Sequence, residues 1–159
     1  MNNTVFYTTV LILLILIGFL GNRMIQNRAA AEASYGEILE ITMYHGEGCN
    51  CCIKWASYLE QNGFVVKDEI VANLIDIKAD HNMPSNLASC HTAIIDGYLV
   101  EGHVPAGEIR RLIAEKPEAI GISVPGMPQG APGMESFRPE PYNVWLIDKN
   151  GSQSVYARY

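Results

Sequence analysis

The chain has 159 residues, a formal net charge of -6 and a hydrophobic share of 48%. Its 17 acidic residues outnumber 11 basic ones, and no cluster of Lys and Arg exists to hold phosphates, which argues against a nucleic-acid partner. Without the apolar N-terminus about 125 residues remain, enough for one domain.

Residues 5–20, VFYTTVLILLILIGFL, carry no charge. As a helix they would span about 24 Å at 1.5 Å per residue. Residues 1–22 are therefore expected to be a signal peptide or a membrane anchor. No Lys or Arg precedes the run, Arg23 and Arg28 follow it, and the candidate cleavage site Ala31-Glu32-Ala33 lies well beyond it. The positive-inside rule places the Arg-bearing side on the cytoplasmic face. Cleaved export and a retained anchor both stay open. Residues 23–36 lack a periodic apolar face and read as a linker, leaving 37–159 as the folded domain.

EILEITMYH (37–45) alternates like a first strand and runs into a Gly-rich turn. In the helix that follows, Cys52, Trp55, Ala56 and Leu59 fall on one face, and Gly63 stops it. FVVKDEIV is a second strand. ANLIDIKADHN is a second helix ending near Asn82. TAIIDGYLVEG is a hairpin around Asp96-Gly97, a pair suited to a type I′ turn. Pro105 opens a third helix with Ile109, Leu112 and Ile113 as its buried stripe. A Pro-, Gly- and Met-rich loop over 124–135 leads to a closing hairpin, YNVWLIDKNGSQSVYARY. The order β-α-β-α-β-β-α plus a C-terminal β-hairpin, preceded by a hydrophobic helix, predicts an α/β thioredoxin-like mixed sheet with flanking helices.

In that architecture a cysteine motif occupies the first strand-to-helix turn, and the segment before the third strand comes close to it. Three of the four cysteines, Cys49, Cys51 and Cys52, stand at the first place, and Cys90 with His91 at the second. Backbone N–H groups and the helix dipole at a helix start favour thiolates, the form that attacks disulfides and binds metals. Cys52 should point inward and Cys49 outward. Two functional readings compete. Cys49-x-x-Cys52 suits a dithiol oxidoreductase, with Cys49 attacking and Cys52 resolving, although Cys51 and Cys90 then invite wrong pairings. Four thiolates and an imidazole suit a soft metal. Tetrahedral zinc prefers well-spaced ligand pairs, whereas thiolates bridge several Cu(I) ions, so the compact cluster fits multinuclear Cu(I). The spacing is not a familiar iron–sulfur run. The bland alternative is a stapling Cys49–Cys52 disulfide beside two incidental cysteines, whose small loop would add little stability.

His91 either joins the site or alternates to the far face of its strand. His103 and His45 lie at strand ends near the site, as structural histidines or supports. His81 at a helix end reads as solvated. Met127 and Met134 in the loop are packing residues before they are Cu(I) ligands.

GCNCCIKW, LASCHTAIIDGYLVEGHVPAGEIRRLI, GISVPGMPQGAPGME and YNVWLID together resemble the CopG-type bacterial periplasmic copper-resistance proteins, small and cysteine-rich, over about residues 38–159. The resemblance implies a periplasmic or periplasm-facing inner-membrane protein that binds copper, more than one Cu(I) ion, for resistance or homeostasis by sequestration, transfer or redox exchange. It maps the family's C-x-C-C motif onto Cys49, Cys51 and Cys52, and its Cys-His motif onto Cys90 and His91. Copper-efflux or copper-chaperone proteins of the envelope are the implied partners. The N-terminus departs from the family's ordinary export signal. No catalytic residue is assigned, and copper or dithiol oxidoreductase activity both fit the sulfur set.

Overall fold

The computed structural model describes Tyr7, residues 16–23 and residues 39–159. The chain divides into two units, Met1–Glu37 and Ile38–Tyr159. In the first, Tyr7 and residues 16–23 are helical. Among the described residues no helix is long and apolar enough to cross a membrane. Most of the leader and linker expected over 1–36 lies outside the described residues.

The second unit holds β1 (Leu39–His45), α1 (Asn50–Gln61), β2 (Phe64–Ile70), α2 (Leu74–Asp80), a 3₁₀ turn (Ser85–Leu87), β3 (His91–Ile95), β4 (Tyr98–Glu101), α3 (Ala106–Glu115), β5 (Ala119–Ser123), β6 (Asn143–Asp148) and β7 (Gln153–Arg158). They form one seven-stranded sheet, ordered β2-β1-β3-β4-β5-β6-β7. β1 and β2 are parallel, β3 is antiparallel to both β1 and β4, and β5 is parallel to β4. The first four strands with α1 and α3 are the α/β thioredoxin-like arrangement that the element order predicts.

Alternation puts Ile41, Met43 and His45 of β1 on one buried face. Against that face α1 sets Cys52, Trp55, Ala56 and Leu59, and α3 sets Ala106, Ile109 and Leu112. Burying Leu59 or Ile109 stabilises the fold by roughly 1.5–3 kcal/mol each. Ile113, expected in the α3 stripe, packs only partly buried at its margin. The opposite face carries a smaller core of Leu87, Leu99 and Ile147, under the 3₁₀ turn. Asp96 and Gly97 take φ of 48° and 79°, as a type I′ hairpin turn requires. α2 starts later than its apolar pattern suggests because the Asn73 side chain accepts the Ile75 N–H at 3.1 Å and caps it there.

β5 is absent from the sequence expectation. Gly121 in its middle lowers strand propensity and hides the element. The same glycine is required there. A Cβ at position 121 would lie 1.9 Å from the Leu99 carbonyl oxygen. β5 therefore joins the C-terminal hairpin to the main sheet, so that the hairpin extends one sheet instead of standing apart from it.

Candidate metal centre

The turn after β1 delivers Cys49 to the N-cap of α1, where its side chain makes no capping hydrogen bond. Its sulfur is left for other chemistry. Cys49 and Cys52 form a disulfide, with Cα atoms 5.3 Å apart. Cys51 and Cys90 are free thiols, both half-buried. Cys52 is fully buried and Cys49 is not, the orientation the helical pattern predicts. The two sulfur-bearing stretches meet. Cys90 Sγ lies 3.7 Å from Cys52 Sγ and 3.8 Å from Cys51 Sγ, while Cys51 Sγ is 3.5 Å from Cys49 Sγ. All four sulfurs lie within 4.8 Å of one another.

His91 faces the site and not the far side of the sheet. β3 alternates so that His91, Ala93 and Ile95 share the α1 face. Its Nδ1 stands 3.4 Å from Cys90 Sγ. Its ring packs against Trp55, with centroids 4.4 Å apart, and Trp55 is itself fixed by donating its indole N–H to the Val104 carbonyl at 2.9 Å. His91 Nε2 is buried with no hydrogen-bond partner.

His103 carries more of the site than its sequence position discloses. Its Nδ1 donates to the Pro132 carbonyl at 2.8 Å, which fixes the tautomer and leaves Nε2 with a lone pair. That Nε2 is 3.2 Å from Cys90 Sγ. Cys90, His91 and His103 thus form a second cluster of ligand atoms, sharing Cys90 with the sulfur group. The sequence signal is available only in part: His103 stands two residues beyond the strand that returns from the hairpin, and its direction depends on the turn at Gly102, whose φ is +71°.

The electrostatics suit neutral donors. Burial, then the neighbouring Cys51, pushes the Cys90 thiol up to about 12, so it keeps its proton and donates it toward His103 Nε2. Burial, then His103 and Lys78, holds His91 well below the ordinary imidazole range. Burial lowers His103 as well. Both rings are neutral near pH 7 and offer lone pairs.

The remaining sequence candidates divide. His45 pairs with His91 across β1 and β3 and is buried, but both its nitrogens are engaged, Nδ1 with the Gly46 carbonyl and Nε2 with Asp68 Oδ1, each at 2.7 Å. It supports the site's edge, with both nitrogens turned to those partners and away from the sulfurs. His81 forms the C-cap of α2. Met127 is exposed, and the Met134 carbonyl closes the loop by accepting the Gly130 N–H at 2.7 Å. That loop packs on the site helix: a Cβ at Gly133 would lie 2.8 Å from Trp55 N and 3.0 Å from Cys51 O.

Residues 87–134 match the family described as a protein of unknown function, DUF411. No curated protein matches the chain. Two solved structures of a copper resistance protein CopG do. Form 2 is 43% identical, covers 77% of this chain and 99% of its own, and has a TM-score of 0.75. Form 1 is likewise 43% identical, covers 77% of this chain and 98% of its own, with a TM-score of 0.74. Identity at this level, along nearly the full length of a relative with the same thioredoxin-like sheet and flanking helices, makes this chain a member of the CopG copper-resistance family.

Proposed function

We propose that the chain binds Cu(I) through the thiolates of Cys49, Cys51, Cys52 and Cys90, with His91 and His103 as imidazole ligands at the Cys90 end. The observation that carries this reading is the convergence of four sulfurs within 4.8 Å, with two neutral imidazoles on one of them. Soft thiolates select Cu(I) and can bridge more than one ion. The role is copper resistance or homeostasis, by sequestration or transfer, in the periplasm or facing it. A disulfide at Cys49–Cys52 fits an oxidising compartment.

The disulfide makes loading conditional. Two electrons and two protons from a thiol reductant must first convert it to two thiols. Each Cu(I)–S bond then displaces a thiol proton, so loading releases acid and weakens as the pH falls. At Cys90 the thiol holds its proton up to about 12. Copper binding at that sulfur should therefore strengthen by about tenfold per pH unit through the neutral range.

The bonded C-x-x-C pair at the start of α1 also favours a second reading, a thioredoxin-like thiol–disulfide oxidoreductase using Cys49 and Cys52. Titration of the reduced protein with Cu(I) separates the two. The copper reading expects more than one ion per chain, and fewer after Cys51→Ser or Cys90→Ser. Uptake of at most one weakly held ion, with disulfide exchange intact or cleaner in those variants, would establish the oxidoreductase instead.

A further inference from the structure

Cys90 lies just before β3, so no ladder hydrogen bond within a named strand sets its position. The residues on either side of Cys90-His91 are held from the reverse face of the sheet. Glu101 is 0% exposed and stands opposite Thr92 in the β3–β4 register. Its Oε1 accepts the Ser89 N–H at 2.6 Å, and its Oε2 accepts the Thr92 hydroxyl at 2.8 Å. Lys78 reaches in from α2 to pair with Oε1 and donates to Thr92 Oγ1 at 2.9 Å. One carboxylate thus grips the residue before Cys90 and the residue after His91.

Stability alone is a poor reason for this arrangement. A buried ion pair gives up the hydration of both charges, and well-packed apolar residues in its place are often as stable. What an apolar replacement could not do is fix the Ser89 amide and the Thr92 hydroxyl in direction. The turn at Gly102 tightens the same point, since a Cβ there would lie 2.5 Å from Ser89 Oγ. Outer hydrogen bonds of this kind commonly orient metal ligands.

We propose that Glu101, neutralised by Lys78, is a positioning residue for the copper ligands: from behind the sheet it sets the Cys90 sulfur against Cys51 and Cys52 and the His91 ring toward the same point. This rests on the Cu(I) reading above. Glu101 touches no ligand atom; it acts through the backbone of Ser89 and the side chain of Thr92.

The test is a double-mutant cycle on the reduced full chain, with Cu(I) affinity read by competition against a chromophoric Cu(I) chelator. Glu101→Gln keeps the shape and removes the charge. Lys78→Met with Glu101→Leu replaces the pair by apolar groups. In a protein still folded by circular dichroism, either change should weaken Cu(I) binding about 10- to 100-fold. X-ray absorption at the copper edge should show fewer sulfur and nitrogen neighbours. In a background carrying both Cys90→Ser and His91→Ala the same changes should shift affinity by no more than about twofold, because the ligands they position are gone. Equal losses in both backgrounds, or unchanged affinity in a folded variant, would overturn the proposal. So would failure of every Glu101 variant to fold, which would assign the group to the fold and not to the ligands. Failure of the copper reading itself shows up earlier, as no Cu(I) uptake by the unsubstituted protein or no effect of Cys90→Ser alone.

Discussion

His91 and Thr92 are adjacent in the chain, both buried, and lie on opposite faces of β3. Behind the sheet, Thr92, Glu101 and Lys78 close a network in which each charge has a counter-charge and each hydrogen-bonding oxygen a partner. In front, the His91 Nε2 has no partner, and the free sulfurs meet mainly other sulfurs and two neutral rings. His91 and Thr92 are equally buried, and the chemical solutions around them are opposite. The rear face is complete without a ligand and contributes to folding and alignment. The front face is incomplete, and an incomplete set of soft donors is what an incoming soft cation can complete.

That contrast predicts that stranding a charge behind the sheet is felt in folding as well as in ligand alignment, whereas removing a donor in front is felt in binding alone. The largest effect should come from Lys78→Ala, which leaves the fully buried Glu101 carboxylate without its counter-charge and should cost about 3–5 kcal/mol of stability in the metal-free protein. Urea unfolding measures it. A cost under roughly 1 kcal/mol would mean that the rear network is not the closed unit its hydrogen bonds describe. Cys90→Ser should do the reverse. Cu(I) affinity falls by more than about 100-fold, because a ligand goes and not just its support, while metal-free stability stays within roughly 1 kcal/mol of the parent. Chelator competition and urea curves on the same sample check both halves.

Gly133→Ala probes the seam between the front face and its covering loop. The new Cβ would press on Trp55 N and Cys51 O at a φ of +80°, and about 1–3 kcal/mol of stability should be lost. A neutral result would show that the loop gives way and does not brace α1. A change of pH sharpens the comparison without any substitution. His91 and His103 are both lowered in the folded state, so unfolding takes up protons as acid is added. Stability is fully present above the ordinary imidazole value of about 6.5 and is lost as the pH falls below it, by up to about 1.4 kcal/mol per pH unit per histidine. Metal-free unfolding curves between pH 7 and pH 5 test the sign; a flat profile would mean that the rings are not held neutral.

Much of the fold was legible along the chain. The i, i+3, i+4, i+7 spacing of Cys52, Trp55, Ala56 and Leu59 marked the buried face of α1, and Asp96-Gly97 marked the hairpin, because both signals are local. β5 was hidden because Gly121 serves a contact with Leu99 that no local pattern records. The site shows the same division. The cysteine triplet and Cys90-His91 stand out as motifs, whereas His103 becomes a candidate ligand only when its distance to Cys90 and the Pro132 carbonyl behind it are known. Glu101 carries no sequence signature, since an acidic residue at a strand end reads as solvent-facing until its burial is seen.

Composition and spacing alone determined the chemical character of this protein: few charges, a soft-donor cluster at a helix start, and an element order that can bring residue 90 to it. Tertiary structure alone decided which side of β3 each donor occupies, that Cys49 and Cys52 are bonded to each other, and that a third stretch of chain supplies His103. The reason is range. Propensity and periodicity act over a turn of helix or a pair of strand residues, whereas a metal site is a set of distances between residues about 40 positions apart, and only the packed sheet sets those.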